Sequence, residues 1–200
     1  MRLITHVLIL SMLPACALAQ GQSDAVHQRN DCRMAVQIVT TGNPAPHTVW
    51  AYEQISECGP EGAAAVAAAI RRNRRNTDLA ALDAITGSAR TVRDAEVYDA
   101  SLEVAGDGTA SIPARVLAFR TVISTLSPGR LVSYDQMTRP DVQRACAGLL
   151  PSGHEVLSEG RTLPADAVQQ GRAVALAVSE QPGVPDQVKQ AASCALRYTR

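Results

Sequence analysis

Prolines stand at or just before the start of several helix-like segments, and their positions limit the folds that this chain can adopt. Proline suits the first position of a helix, because its missing N–H would have no partner there and its fixed φ already matches the helix. Two further segments follow polar residues that can cap a helix, at residues 77–78 and 93–94. The pattern predicts an all-α fold of about eight or nine short helices. The prolines concerned are Pro46, Pro60, Pro113, Pro140, Pro164 and Pro185.

Apolar residues inside these segments repeat with the period of an α-helix. The clearest stripe consists of Ile112, Val116, Phe119, Ile123 and Leu126. Breakers rich in glycine and proline separate the segments, as is typical of chain reversals between antiparallel helices. One stretch, residues 129–134, could form a short strand, and we predict an irregular connection there instead.

The N-terminus has the composition of a secretory signal. An apolar run at residues 3–13 is too short to span a bilayer, and small residues follow it. Cleavage after Ala19 is the favoured processing, and lipidation of Cys16 at a lipoprotein-like box is the alternative.

The domain organisation follows from this interpretation. We predict a signal peptide at residues 1–19, a flexible segment at residues 20–30 and a single α-helical domain at residues 31–200. Nothing after the signal is apolar enough to span a membrane. The protein is therefore expected to be secreted or periplasmic.

Four cysteines remain after processing, and in an oxidising compartment they argue for two disulfides. Four cysteines allow three connectivities in general. Two antiparallel helices of similar length would bring Cys32 and Cys58 to the same end of a hairpin, which leaves Cys146 to pair with Cys194. No two cysteines have the CxxC spacing of a zinc knuckle or a thioredoxin-like motif.

The charge of the chain is balanced, with 19 basic and 19 acidic side chains. A neutral chain has no overall field to attract nucleic acid or an anionic membrane. One basic stretch, which follows the alanine-rich helix, departs locally from this charge balance. We predict that it is a solvated helix end that binds no nucleic acid. The residues concerned are the packing face Ala63, Val66, Ala67 and Ile70, and the basic group Arg71, Arg72, Arg74 and Arg75.

Residues 94–126 and 139–198 resemble the helical hairpins of HEAT-type repeats. Each contains a helix that opens with a proline and then a valine next to a basic residue. The elements that carry the resemblance are Pro113 with Arg115-Val116, Pro140 with Val142 and Arg144, and Pro185 with Val188 and Lys189. The resemblance implies an irregular stack of antiparallel helix pairs used for binding, with no catalytic residue. Uneven spacing of the helix starts leaves a closed helical bundle as the alternative.

The sequence supplies no motif for catalysis, for a cofactor or for a metal. His27, His47 and His154 lack the partners of a catalytic triad, and no phosphate-binding or metalloprotease motif occurs. Asp107, in a glycine-containing segment, is predicted to lie in a turn and not in a calcium loop.

The function predicted from these observations is a secreted or periplasmic helical scaffold that binds a protein partner. The alternatives are a small secreted enzyme whose site is assembled from distant residues, and a disulfide-tied helical inhibitor. We expect the binding surface on the second helix of each pair, near residues 115–120 and 143–144.

The processing of the N-terminus can be tested directly. The mature chain is expected to begin at Gln20, because small residues precede it at the cleavage position. Intact-mass measurement of protein recovered from the envelope or the medium would show this mass, or that of a chain lipidated at Cys16. A soluble cytoplasmic protein that retains Met1 would contradict both.

Overall fold

The computed structural model describes residues 13–42, 48–92, 94–126, 146 and 163–198. This part of the chain contains helices and no strand, which confirms the all-α prediction. Its α-helices are α1 (Leu13–Thr41), α2 (Thr48–Gln54), α3 (Gly59–Arg72), α4 (Leu79–Val92), α5 (Ala95–Gly106), α6 (Ile112–Leu126), α7 (Ala167–Glu180) and α8 (Asp186–Tyr198), and a short 3-10 helix (Ile55–Glu57) joins α2 to α3.

Prolines begin helices as the sequence predicts. Pro60 and Pro113 are the second residues of α3 and α6, and Pro185 immediately precedes α8. Helix α7 begins one turn after Pro164, whose carbonyl accepts a backbone hydrogen bond of 3.0 Å from the first residue of the helix. The predictions for Pro46, Pro140 and residues 129–134 lie outside the described residues.

Two aspartates cap helices at the other predicted starts. The Asp78 carboxylate accepts a hydrogen bond of 2.9 Å from the N–H of Ala80 in α4. Asp94 has an extended backbone and accepts one of 3.0 Å from the N–H of Glu96 in α5. Such caps satisfy N–H groups that have no partner inside the helix, and each stabilises the helix by about 1 kcal/mol.

The described helices pack as hairpins arranged in two rows. Helix α1 pairs with α2, α3 with α4, α5 with α6, and α7 with α8. The first helices of these pairs lie side by side in the order α1, α3, α5, α7, and the second helices do the same in the order α2, α4, α6, α8. Each hairpin therefore packs against the next one along the row.

The core between the rows consists mainly of small side chains. Ala63, Val66, Ala67 and Ile70 are buried on one face of α3, as the periodicity predicts, and Phe119 of α6 is fully buried. Side chains this small let neighbouring helices approach closely.

Two disulfides cross-link the chain in the predicted pairs. Cys32 of α1 pairs with Cys58, which precedes α3, and Cys146 pairs with Cys194 of α8. The paired cysteines are 26 and 48 residues apart in sequence. In the chain-entropy model, cross-links of this span stabilise the fold by about 3.5 and about 4 kcal/mol.

Helix α1 is longer than the hairpin leg that the sequence predicts, because it begins at Leu13. Residues 20–30, for which we predict a flexible segment, belong to this helix in the structure. They contain no proline that would end a helix extending back from Cys32.

Helices α5 and α7 approach each other closely at Gly171. The Tyr98 hydroxyl donates a hydrogen bond of 2.6 Å to the carbonyl of Ala167 in α7. A Cβ atom on Gly171 would overlap the Tyr98 hydroxyl oxygen and would lie 3.2 Å from Leu126 Cδ1. Burial raises the pKa of Tyr98 above its ordinary value, so the phenol stays protonated and keeps donating.

Replacing Gly171 with alanine should therefore lower the free energy of unfolding by about 1–3 kcal/mol through steric overlap. Gly87→Ala is the matched control, because nothing lies within 4 Å of a Cβ atom built there in α4. It should raise the free energy of unfolding by about 0.5–1 kcal/mol. Urea denaturation followed by circular dichroism measures both, and equal effects would contradict the packing described here.

Candidate functional site

Three of the four arginines at the end of α3 make specific contacts with other helices. Arg71 Nε lies 2.7 Å from Glu103 Oε2 in α5, and its Nη2 donates a second hydrogen bond of 3.1 Å to the other carboxylate oxygen. Glu96 lies 3.9 Å away at the start of α5. Arg71 therefore connects the neighbouring first helices of two hairpins.

Arg72 connects α3 to α1. Its guanidinium donates hydrogen bonds of 2.7 and 2.6 Å to the carbonyls of Val39 and Thr40, in the last turn of α1. The last carbonyls of a helix have no partner inside it, and they carry the negative end of the helix dipole. A cation at this point supplies both the missing donors and the opposite charge.

Arg74 holds the turn between α5 and α6. Its Nε lies 3.5 Å from the Asp107 carboxylate, and its carbonyl accepts a hydrogen bond from the N–H of Ser111. Asp107 also accepts two hydrogen bonds of 2.8 Å from the N–H and hydroxyl of Thr109. These bonds lower the pKa of Asp107 and confirm the predicted turn.

The predicted helix end is exposed at Arg72 and Arg74, but it also makes contacts with other helices that the prediction did not include. The partners of Arg71, Arg72 and Arg74 lie at least 25 residues away in sequence, on or next to other helices, and neighbouring residues give no sign of them. Arg75 is exposed. The absence of nucleic-acid binding remains a prediction, which these protein-internal contacts support because they occupy three of the four cations.

The surface expected on α6 is also corrected by the structure. Arg115 is only 3% exposed, and its Nε donates a hydrogen bond of 3.1 Å to the carbonyl of Ala105 at the end of α5. Burial lowers the pKa of Arg115, and Asp107 acts in the opposite direction. Arg120 lies 3.3 Å from Asp83 of α4. Both arginines join helices, so residues 115–120 do not form an open binding face.

The sequence also singles out three histidines and residues 143–144 as candidates. His27 lies exposed on α1. His47, His154 and residues 143–144 lie outside the described residues. No group of three histidine, cysteine or acidic side chains in the described part of the chain could hold a metal ion.

A charged groove lies where α1 meets the start of α3. It has a volume of about 560 Å³ and an open mouth. The Cys32–Cys58 disulfide borders it, and both cysteines are half-buried. The lining residues are Gln28, Arg29, Cys32 and Arg33 on α1, and Glu57, Cys58, Gly59 and Glu61 on the opposite side.

The two sides of the groove carry opposite charges. Arg29 and Arg33 lie one helical turn apart on α1 and form what we call the basic wall. Glu57, at the end of the 3-10 helix, and Glu61, in the first turn of α3, form the acidic wall. Among the described residues no ion pair within 4.0 Å joins the walls, whereas such pairs do form near the end of α3 and between α4 and α6.

The sequence around the two cysteines carries a charge pattern that matches this groove. Two basic side chains lie near Cys32, as R-x-D-C-R with Asp31 as the exception, and two acidic side chains lie near Cys58, as E-C-x-x-E. Once the two cysteines are paired, the two charged pairs must lie on either side of the bond. The signal depends on knowing the disulfide pairing.

The lining of the groove suits a polar ligand better than an apolar substrate that the protein would enclose. Enclosed ligand pockets are mostly apolar with a few polar groups, whereas four of the eight residues that line this groove are charged. Opposite charges fix the orientation of a ligand that carries both signs. No helix in the described residues is long and apolar enough to cross a membrane.

Comparison with known proteins assigns no relative to this chain. No family model matches it, and no curated protein or solved structure is significantly similar. The groove and the helix contacts must therefore be interpreted from their own chemistry.

The Arg71–Glu103 contact leads to a pH prediction. The hydrogen bond from Arg71 lowers the pKa of Glu103 below its ordinary value of 4.5. A carboxyl group whose pKa is lower in the folded state stabilises the fold above the unfolded pKa, and that contribution is lost as the pH falls through the folded value. Because both side chains are largely exposed, we expect a coupling of only about 0.5 kcal/mol at pH 7.

A double-mutant cycle with Arg71→Gln, Glu103→Gln and the double variant measures this coupling by urea denaturation. It should be present at pH 7 and vanish at a pH where Glu103 is protonated in both states. A coupling that is unchanged in strong acid would show that the contact is not an ion pair.

Proposed function

We propose that this protein is an exported helical scaffold that binds a protein partner and has no catalysis of its own. The packing order supports a HEAT-like stack, because each hairpin contacts the next through its first helices and through its second helices. Two disulfides suit a protein that works in an oxidising compartment.

The observation that carries the proposal is the pair of oppositely charged walls kept apart across the groove. Arg72 and Arg74 are occupied by contacts within the chain. In contrast, Arg29 and Arg33 form no ion pair within the described residues, although two glutamates line the same groove. The charged side chains that line the groove are therefore available to bind a ligand.

The occupant that fits these walls is an extended polypeptide segment with both acidic and basic side chains. An acidic side chain would lie against the basic wall, where arginine can bind a carboxylate through two parallel hydrogen bonds. A basic side chain would lie against the acidic wall. The order of the two charges along the segment would set its direction in the groove.

The cross-link between the walls supports this use of the groove. Cys32 and Cys58 have Cα atoms 5.2 Å apart and lie in α1 and just before α3. The walls are therefore held at a fixed spacing before any ligand arrives, which reduces the entropy lost on binding.

Selection from a displayed library of random peptides tests the proposal without knowledge of the natural partner. The wild-type protein should enrich segments with one acidic and one basic cluster in a constant order. A variant with exchanged walls (R29E/R33E/E57R/E61R) should enrich the reverse order, because the complementary charges have changed sides. Wild-type affinities should weaken as salt is raised.

The matched control exchanges a charge pair away from the groove, as R71E/E103R. This variant should select the same peptides as the wild type. Failure of the wild type to enrich any charged segment, or selection of the same peptides by the variant with exchanged walls, would overturn the proposal.

A further inference from the structure

We propose that the Cys32–Cys58 disulfide is a thiol-reactive site, which external thiols open in the folded protein by thiol–disulfide exchange. The proposal does not rest on peptide binding in the groove. The two disulfides of the chain lie in different surroundings, and this contrast carries the inference. Cys32 and Cys58 are half-buried and line the groove, whereas Cys146 and Cys194 are 2% and 0% exposed.

The charges in the groove select the attacking thiol and the sulfur that it attacks. Exchange requires a thiolate, which is an anion, and access to one sulfur of the disulfide. Arg29 and Arg33 line the groove beside Cys32, and Asp31, its neighbour in sequence, is not among the lining residues, so an incoming thiolate is drawn towards the Cys32 sulfur. Glu57 and Glu61 flank Cys58 and repel an anion from that side.

The exchange can be written in full. A thiol loses its proton to water, and the thiolate attacks Cys32 Sγ. A new sulfur–sulfur bond forms while the Cys32–Cys58 bond breaks, and the electron pair of the broken bond leaves on Cys58 as a thiolate. Cys58 is the N-cap residue of α3, where the positive end of the helix dipole stabilises an anion and the neighbouring glutamates oppose it. With a dithiol, the second thiolate then displaces Cys32, which leaves both cysteines reduced and the donor oxidised.

Other contacts hold α1 in place when this bond opens. Arg72 donates two hydrogen bonds to the carbonyls of Val39 and Thr40 at the far end of the helix, and Ala35 and Val39 are fully buried in the core. Cleavage of the disulfide therefore frees the groove end of α1 from α3 without removing the packing that anchors the helix.

Differential alkylation of the folded protein tests the reactivity. The full chain is incubated with increasing concentrations of dithiothreitol, labelled with iodoacetamide and mapped by mass spectrometry, while circular dichroism monitors helix content. Cys32 and Cys58 should be labelled at least about tenfold faster than Cys146 and Cys194, with helix content retained, because accessible disulfides exchange faster. Simultaneous reduction of both pairs, or reduction that occurs only with loss of helix, would overturn the proposal.

Two monothiols of opposite charge test the role of the walls. Thioglycolate is anionic and cysteamine is cationic, so their rates of exchange report the charge around the attacked sulfur. The ratio of the thioglycolate rate to the cysteamine rate should fall about threefold or more in R29Q/R33Q and rise in the matched E57Q/E61Q variant. The mixed disulfide should be found on Cys32. Unchanged ratios in both variants, or a mixed disulfide on Cys58, would show that the walls do not direct the attack.

Discussion

The small size of the core side chains is the constraint on which the rest of this structure depends. Aromatic residues make up only 3% of the chain, and alanines occupy much of the core. An alanine buries little apolar area, so each contact contributes little and many close contacts are needed. Close approach in turn requires residues such as Gly171, where α5 and α7 leave no room for a Cβ atom. The two rows of short helices are one way to obtain many such contacts.

Short helices have many ends, and several of the polar contacts between helices in the described residues lie there. Each end leaves backbone groups without partners inside the helix. Arg72 supplies donors to the end of α1, and Arg115 supplies one to the end of α5. A guanidinium suits this role because it has several donors in one plane and remains charged when partly buried. The arginines thus complement a core in which apolar burial alone is modest.

The sequence predicts those features that depend on residues close together in the chain. Pro60 and Pro113 mark helix starts, Asp78 and Asp94 mark caps, and the spacing of apolar residues identifies the buried face of α3. The pairing of Cys32 with Cys58 was also predictable, because an antiparallel hairpin brings the two cysteines to the same end.

Features that depend on distant residues could not be predicted in the same way. The residues next to Arg71 in sequence cannot show whether it faces solvent or Glu103, because Glu103 is 32 residues away. Arg115 lies one position from the predicted stripe of α6, and its burial follows from the position of the carbonyl of Ala105. The groove was missed for a related reason, since Arg29 and Glu61 come together only through the disulfide and the packing of α1 on α3.

The position of the first disulfide links the stability of the fold to the chemistry of the groove. A cross-link buried in the core, as at Cys146 and Cys194, can only stabilise, because no thiol reaches it without unfolding. The same bond placed in a groove holds two charged walls at a set distance and is also open to attack. Since Arg72 anchors the far end of α1, opening the bond would release the basic wall from the acidic wall and leave the rows intact. The groove would then exist in a fixed and a released form, and a ligand that needs both walls would bind the fixed form more tightly.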